Sequence, residues 1–308
     1  MNNISMPGKV AWSDYCLIAL TGLLWGSAFL LIKIAIVTIP PYTLTMGRMG
    51  VATMALFVVL ILRGQQLPLD RKSLALFAFI GLFGSALPFT LINWGEIHIP
   101  SGLAAVLMGI MPITTALLAH FFIPDEPFGW RKAIGIFVGF GGLLVLVGID
   151  AISGFDSSVT AQIAMLCAAA AYAITTTFTR LRVAHPGLIM ATGSSMMGFL
   201  WVLPLALVYD RPWSLTPDLM GVSATVLLGL LPSAVGILLF FHLISRVGAT
   251  IFSQVNYLIP LVGAFLGVVF LGEALNWQLI SALVLVLSGI SIVTPVSYTH
   301  LRAHETLR

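Results

Sequence analysis

Long apolar runs, interrupted at intervals by proline, glycine and charge, set the pattern of this chain. Ten runs are long enough to cross roughly 30 Å of hydrocarbon at about 1.5 Å per helical residue. They lie near 14–37, 42–62, 73–95, 100–122, 130–148, 160–181, 187–208, 216–241, 248–271 and 276–294. In lipid the backbone must satisfy its own polar groups, so the runs predict helices and an all-α polytopic membrane protein. Breakers separate them at Pro40-Pro41, Pro68, Pro100, Pro124 to Pro127, Gly154, Pro186, Pro212 and Gly248. The connections are short and hold no soluble domain for a nucleotide-driven motor. The first run is full length and follows a short polar start, so it reads as a retained span rather than a signal peptide.

The pattern occurs twice. Trp25 and Lys33 match Tyr172 and Arg180 at an offset of 147. Gly81, Leu82, Ser85, Ala86 and Pro112 match Gly229, Leu230, Ser233, Ala234 and Pro260 at 148. Glu126, Trp130 and Gly142 match Glu273, Trp277 and Gly289, again at 147. Each copy holds five runs, so the second enters the membrane from the opposite side. Ten helices in two inverted five-helix repeats, 14–148 and 158–294, are therefore expected, with a substrate site where the copies meet. Residues 297–308 share nothing with the repeat and read as a disordered tail or cloning scar.

Composition agrees with a bilayer environment. The 308 residues are 59% hydrophobic and 8% charged, with mean hydropathy +1.07, against about 25% charged for soluble domains. The net charge of +3 comes from scattered basic residues, which argues against a nucleic-acid partner. With the N-terminus in the cytoplasm, Lys9, Arg63, Arg71, Lys72, Arg131, Lys132, Arg180, Arg182, Arg246, Arg302 and Arg308 lie inside, and only Lys33 and Arg211 outside. That bias places both termini in the cytoplasm. Cys16 and Cys167 fall within spans and read as small packing residues.

Candidate chemistry lies in the few polar groups at membrane depth. Arg48 sits about two turns into the second span. Lys33 closes the run Trp25 to Lys33, and residues eight apart share roughly one helix face. Together they suggest a cationic spot beside an aromatic wall, fit for a carboxylate on an apolar body; a snorkelling Lys33 and a helix-capping Arg48 are the structural alternatives. Asn93 and Trp94 end the third span, and Gln254, Asn256 and Tyr257 precede Pro260 in the ninth. These side chains bond across helices, line a wet cavity, or, for the aromatics, form an interfacial belt. Pro112 and Pro260 hold matching places in the two copies, and Pro88 and Pro232 interrupt the third and eighth spans; each frees a carbonyl and suits a gated cavity. The glycines Gly139, Gly141 and Gly142 read as close helix packing. His98, His120 and His242 lack metal-ligand spacing and read as packing groups. No GxxxxGK[ST] loop occurs, and no cofactor or metal is called for. No carboxylate stands mid-span; Asp14, Glu96 and Glu273 sit at span ends. This favours neutral or zwitterionic solutes and facilitated movement with little pH dependence.

These residues resemble the drug/metabolite transporter superfamily, specifically its EamA-domain members. The likeness runs over 14–294, through Trp25-Gly26-Ser27, Lys33, Arg48, Pro112, Asp125-Glu126, Trp130, Pro260 and Gly272-Glu273. Among them the chain is most similar to YddG-type aromatic amino-acid exporters. The resemblance implies an inner-membrane exporter of aromatic and other neutral amino acids, with a central cavity, alternating access and the fifth and tenth spans peripheral. Tyr172 replaces Trp25 and Ser195 replaces Arg48 in the second copy, so a symmetric anion clamp is not expected. Efflux of other metabolites or organic-cation drugs, possibly proton-coupled, is the rival within transport. A sensor subunit would need a loop domain, and an intramembrane enzyme clustered histidines and acids. Partners are the small solute and the bilayer, with the chain a monomer or weak homodimer.

Overall fold

A computed structural model describes residues 11–122, 129–147, 157–182, 185–252 and 254–293. All the regular structure among them is helical. Seven helical segments are long and apolar enough to span a bilayer: α1 Trp12–Ala35, α2 Pro41–Leu62, α3 Arg71–His98, α4 Ser101–Phe122, α6 within Ser157–Arg182, α7 Gly187–Asp210 and the start of α8 from Leu219. Shorter apolar helices complete the set: α5 Trp130–Val147, α9 Val255–Leu271 and α10 Trp277–Val293. The result is a ten-helix membrane protein built from two inverted five-helix repeats.

Packing follows the duplication. α1 lies against α9 and α8, as α6 lies against α4 and α3. α2 lies against α8, as α7 lies against α3, while α2–α7 and α5–α10 pair across the approximate two-fold axis. α5 and α10 pack chiefly on each other, which makes them peripheral. A Cβ on Gly289 would stand 2.7 Å from the Gly135 carbonyl and 2.8 Å from the Gly139 nitrogen, so only glycine permits that approach. Gly139 and Gly142 are also at contacts, whereas Gly141 faces open space.

The helix limits and the prolines differ in places from the sequence expectation. The eighth run does not break at Gly248: α8 consists of Leu219–Leu228, a π-helical turn Gly229–Val235 and Gly236–Phe252. Consequently α9 starts at Val255, and Tyr257, expected mid-span, lies in its first turn. Pro88 and Pro232 do not break their helices either. Each is accommodated by a wider turn, Leu82–Ala86 in α3 and Gly229–Val235 in α8, at matching positions of the two copies. Pro112 does mark an interruption, since α4 is split at Gly109–Ile110, while Pro260 lies within a continuous α9. Cys16 and Cys167 are exposed on the outer surface of the bundle rather than packed inside it. The tail 297–308, Asp125-Glu126 and Gly154 lie outside the described residues.

Side chains tie the copies together at both ends. At one end, Arg246 Nε of α8 donates to Asp14 Oδ1 of α1 at 2.6 Å. At the other, Glu273 accepts from the Ser101 and Gly102 amides at 2.6 and 2.8 Å, capping α4. Asp210 accepts from the Thr43 amide and hydroxyl at 2.7 and 3.0 Å, at the first turn of α2. Asp218 caps α8 through the Gly221 amide and also accepts from the Thr38 hydroxyl. Carboxylates at helix N-termini satisfy orphan amides and complement the helix dipole.

Candidate functional site

The π-turn of α8 organises the centre of the bundle. Pro232 lacks an N–H, so the Leu228 carbonyl loses its ordinary helical donor. The Ser233 hydroxyl supplies a replacement, donating to Leu228 O at 2.9 Å. Ser233 Oγ in turn accepts from Arg48 Nε at 2.7 Å. The wider turn also leaves the Pro232 carbonyl accepting from Trp25 Nε1 at 3.0 Å. Thus one proline-driven distortion binds α1, α2 and α8 through the two residues, Trp25 and Arg48, singled out by sequence.

Arg48 is 4% exposed. Its guanidinium carbon stands 3.7 Å from the Phe89 ring centroid, a cation–π contact with α3. Phe89 packs edge-on to Tyr172 of α6, with centroids 6.3 Å apart. The terminal nitrogens of Arg48 donate to no group among the described residues. Arg48 is therefore a buried cation fixed at its Nε edge and along one face, with the terminal nitrogens of its fork unpaired among the described residues. Such a fork matches a carboxylate bidentately. Trp25 meets Phe240 and Phe252 at 6.2 and 6.0 Å, extending the aromatic wall along α8. Five helices, drawn from both copies, meet around Arg48.

Next to this centre runs a polar string between α2 and α3. Asn93, fully buried, donates through Nδ2 to Thr45 Oγ1 at 2.9 Å, and Thr90 donates to the same oxygen at 3.2 Å. Asn93 Oδ1 has no partner among the described residues. The other candidates are placed elsewhere. Lys33 donates to the main-chain carbonyls of Glu96 and Ile99, the latter at 2.9 Å, and so caps the end of α3. Trp94 is 36% exposed and edge-on to His98, on the outer surface with the membrane-facing aromatics. Asn256 and Tyr257 lie in the first turn of α9, Tyr257 against the main apolar core. Pro88 stands beside Phe89 after the first π-turn, while Pro112 and Pro260 lie on α4 and α9. Among the described residues, no group of three or more His, Cys, Asp or Glu is arranged to hold a metal.

Two participants were not among the sequence candidates. Ser233 could have been found from its place directly after Pro232, where a hydroxyl can take the freed carbonyl. Phe89 had a weaker signal, one aromatic among 19 phenylalanines.

An all-helical membrane fold built from two inverted repeats, with polar side chains of both copies meeting at their junction, is the architecture of a transporter. The chain belongs to the EamA-like transporter family, which it matches twice, over residues 12–148 and 159–294. A probable terminal-alkyne amino-acid exporter of Streptantibioticus cattleyicolor is 29% identical over 86% of this chain and 86% of its own length. The uncharacterized inner membrane transporter YedA of Escherichia coli is 28% identical over 90% and 89%. The uncharacterized transporter YoaV of Bacillus subtilis is 24% identical over 88% and 93%. A protein of known crystal structure shares the fold with a TM-score of 0.68 at 18% identity, over 92% of this chain and 97% of that one.

Proposed function

We propose that this protein exports amino acids, aromatic and other neutral ones, across the bacterial inner membrane by alternating access, with both termini cytoplasmic. The observation that carries the reading is the unpaired fork of Arg48, buried against Phe89 and anchored to Ser233. A carboxylate would occupy the fork, and an apolar side chain would lie along Trp25, Phe89 and Tyr172. Asn93 would accept from an ammonium group through its unpartnered Oδ1. The repeats 14–148 and 158–294 act as the two moving units of a monomer or weak homodimer. Lys33 has a capping role in the state described, and Trp94, Asn256 and Tyr257 contribute outside the centre. The probable terminal-alkyne amino-acid exporter among the relatives supports the solute class.

Uptake into proteoliposomes, screened across neutral amino acids and their carboxamides, tests this. Amino acids should be carried and carboxamides should not. Transport of organic cations with no amino acid moved would overturn the reading in favour of drug efflux.

A further inference from the structure

The sequence placed Glu96 at a span end, where a carboxylate is ordinarily wet. Its side chain is instead completely buried, and neither carboxyl oxygen has a hydrogen-bond partner among the described residues. An ionised carboxylate in such surroundings would forfeit several kcal/mol of solvation with no hydrogen bond in return. The neutral acid is the form this burial tolerates.

The groups around it are few. α1 brings Lys33, whose ammonium is occupied by the main-chain carbonyls of Glu96 itself and of Ile99. α2 brings Arg48, and the α4 N-terminus brings the capping Glu273; both, with Lys33, are within electrostatic reach of Glu96. The first part of α4, Ser101–Met108, carries no titratable side chain. α6 turns Met165 and the Ala161 carbonyl toward this part of α3, against Gly95; of its titratable groups, Cys167 is exposed and Tyr172 sits with Arg48 and Phe89. On α3 itself, His98 faces outward with Trp94.

We propose that Glu96 is a reversible proton-binding site of the transport cycle: protonated in the state described, and deprotonated in the opposite facing state, where Lys33 becomes its partner. Lys33 already contacts the main chain of the same residue, so a change of side-chain rotamer carries the ammonium from carbonyl to carboxylate. The carboxyl O–H bond breaks, the proton passes to water at that end of the bundle, and no other covalent bond changes. The same move strips the cap from the end of α3 and loosens its tie to α1. Deprotonation is thereby linked to a helix-end rearrangement. Arg48, in the electrostatic field of the same carboxyl, joins the proton site to the solute site. This replaces the sequence expectation of facilitated movement with proton-linked movement; the coupling part rests on the amino-acid reading above.

Infrared difference spectra of the full chain in lipid vesicles test the proton site without any solute. The wild type should show a protonated-carboxyl band near neutral pH that disappears reversibly as pH rises. Glu96→Gln should lack that band, and Glu96→Asp should shift it. Absence of the band from the wild type at every pH, or its retention in Glu96→Gln, overturns the proposal. In the second arm, vesicles carry a pH dye during amino-acid flux. Wild-type flux should move protons, Glu96→Asp should retain that proton movement, and Glu96→Gln should lose it. Proton flux that survives in Glu96→Gln, or wild-type flux without protons, overturns the coupling. If no amino acid moves in the wild type while the band titrates, the solute assignment fails and the proton site stands.

Discussion

At the scale of single residues, the site depends on one arginine held by two different contacts. Arg48→Ala removes the fork, and a charge-assisted bond contributes about 1.5–3 kcal/mol. Apparent affinity for an amino acid should therefore fall roughly tenfold to a hundredfold, with folded protein unchanged in amount. Binding of an amide derivative should be weak in the wild type and hardly altered by the variant. Equal losses for acid and amide would assign Arg48 to structure alone. Ser233→Ala offers a finer comparison. It leaves the charge in place, frees Nε and removes the hydroxyl bond to the Leu228 carbonyl, so its effect should be smaller than that of Arg48→Ala and accompanied by a lower melting temperature. Arg48 was legible in the sequence because an ionised group in a long apolar run has to be accounted for. Phe89 and Trp94 were not separable, since a helix with apolar residues on every side does not announce which one faces the interior. Glu96 lies near the end of its span, as the sequence indicated, but its burial was not legible, because it depends on neighbouring helices closing over it.

Among elements, helix ends rather than helix faces carry the specific polar ties. Glu273 follows Gly272, whose φ of +66° ends α9 in a left-handed turn and aims the carboxylate at the α4 amides. Glu273→Gln keeps an acceptor but loses the charge and one of two bonds, a change of about 1 kcal/mol by the usual worth of a cap. It should lower the melting temperature modestly and increase labelling of a cysteine placed at Ser101. An unchanged melting temperature would show that this cap is dispensable. Asp218 gives a pH-dependent case. The Gly221 amide, and after it the Thr38 hydroxyl, hold its carboxyl below the ordinary aspartate value. A depressed value means stabilisation that is complete above the ordinary range and lost as pH falls through the lowered one. The stability gap between wild type and Asp218→Ala should therefore narrow on acidification, as thermal melts at a series of pH values can show. A gap constant with pH would mean that the charge of Asp218 contributes nothing. The sequence marked these elements well by length and hydropathy, and it marked Pro88 and Pro232 as interruptions. That α8 continues through Pro232 in a π-turn follows from what surrounds it: the Ser233 hydroxyl and Trp25 bond the carbonyls the proline turn exposes, so the helix need not break.

For the whole molecule, duplication explains why polar groups from both halves converge, and it also sets what can move. The two copies pack with two-fold correspondence but differ locally: α4 is split near Pro112, whereas α9 runs unbroken through Pro260. In an inverted repeat, a difference of that kind between equivalent helices is what distinguishes one facing state from its mirror. Replacing Pro112 by alanine restores a donor to the Met108 carbonyl and favours a straight α4; replacing Pro260 does the same for an α9 that is already continuous. Pro112→Ala should therefore shift accessibility of a cavity cysteine strongly, and Pro260→Ala weakly. The orientation of the bundle is the remaining condition for reading such a shift as inward or outward. It rests on eleven basic residues against two, a preference that acts through short loops near span ends. In a background with Cys16→Ala and Cys167→Ala, a cysteine at exposed Gln66, between α2 and α3, should be protected from an impermeant reagent in intact cells. One at exposed Thr216, between α7 and α8, should react. Labelling at Gln66 with protection at Thr216 would turn the molecule over in the membrane, and the direction assigned to transport would reverse with it.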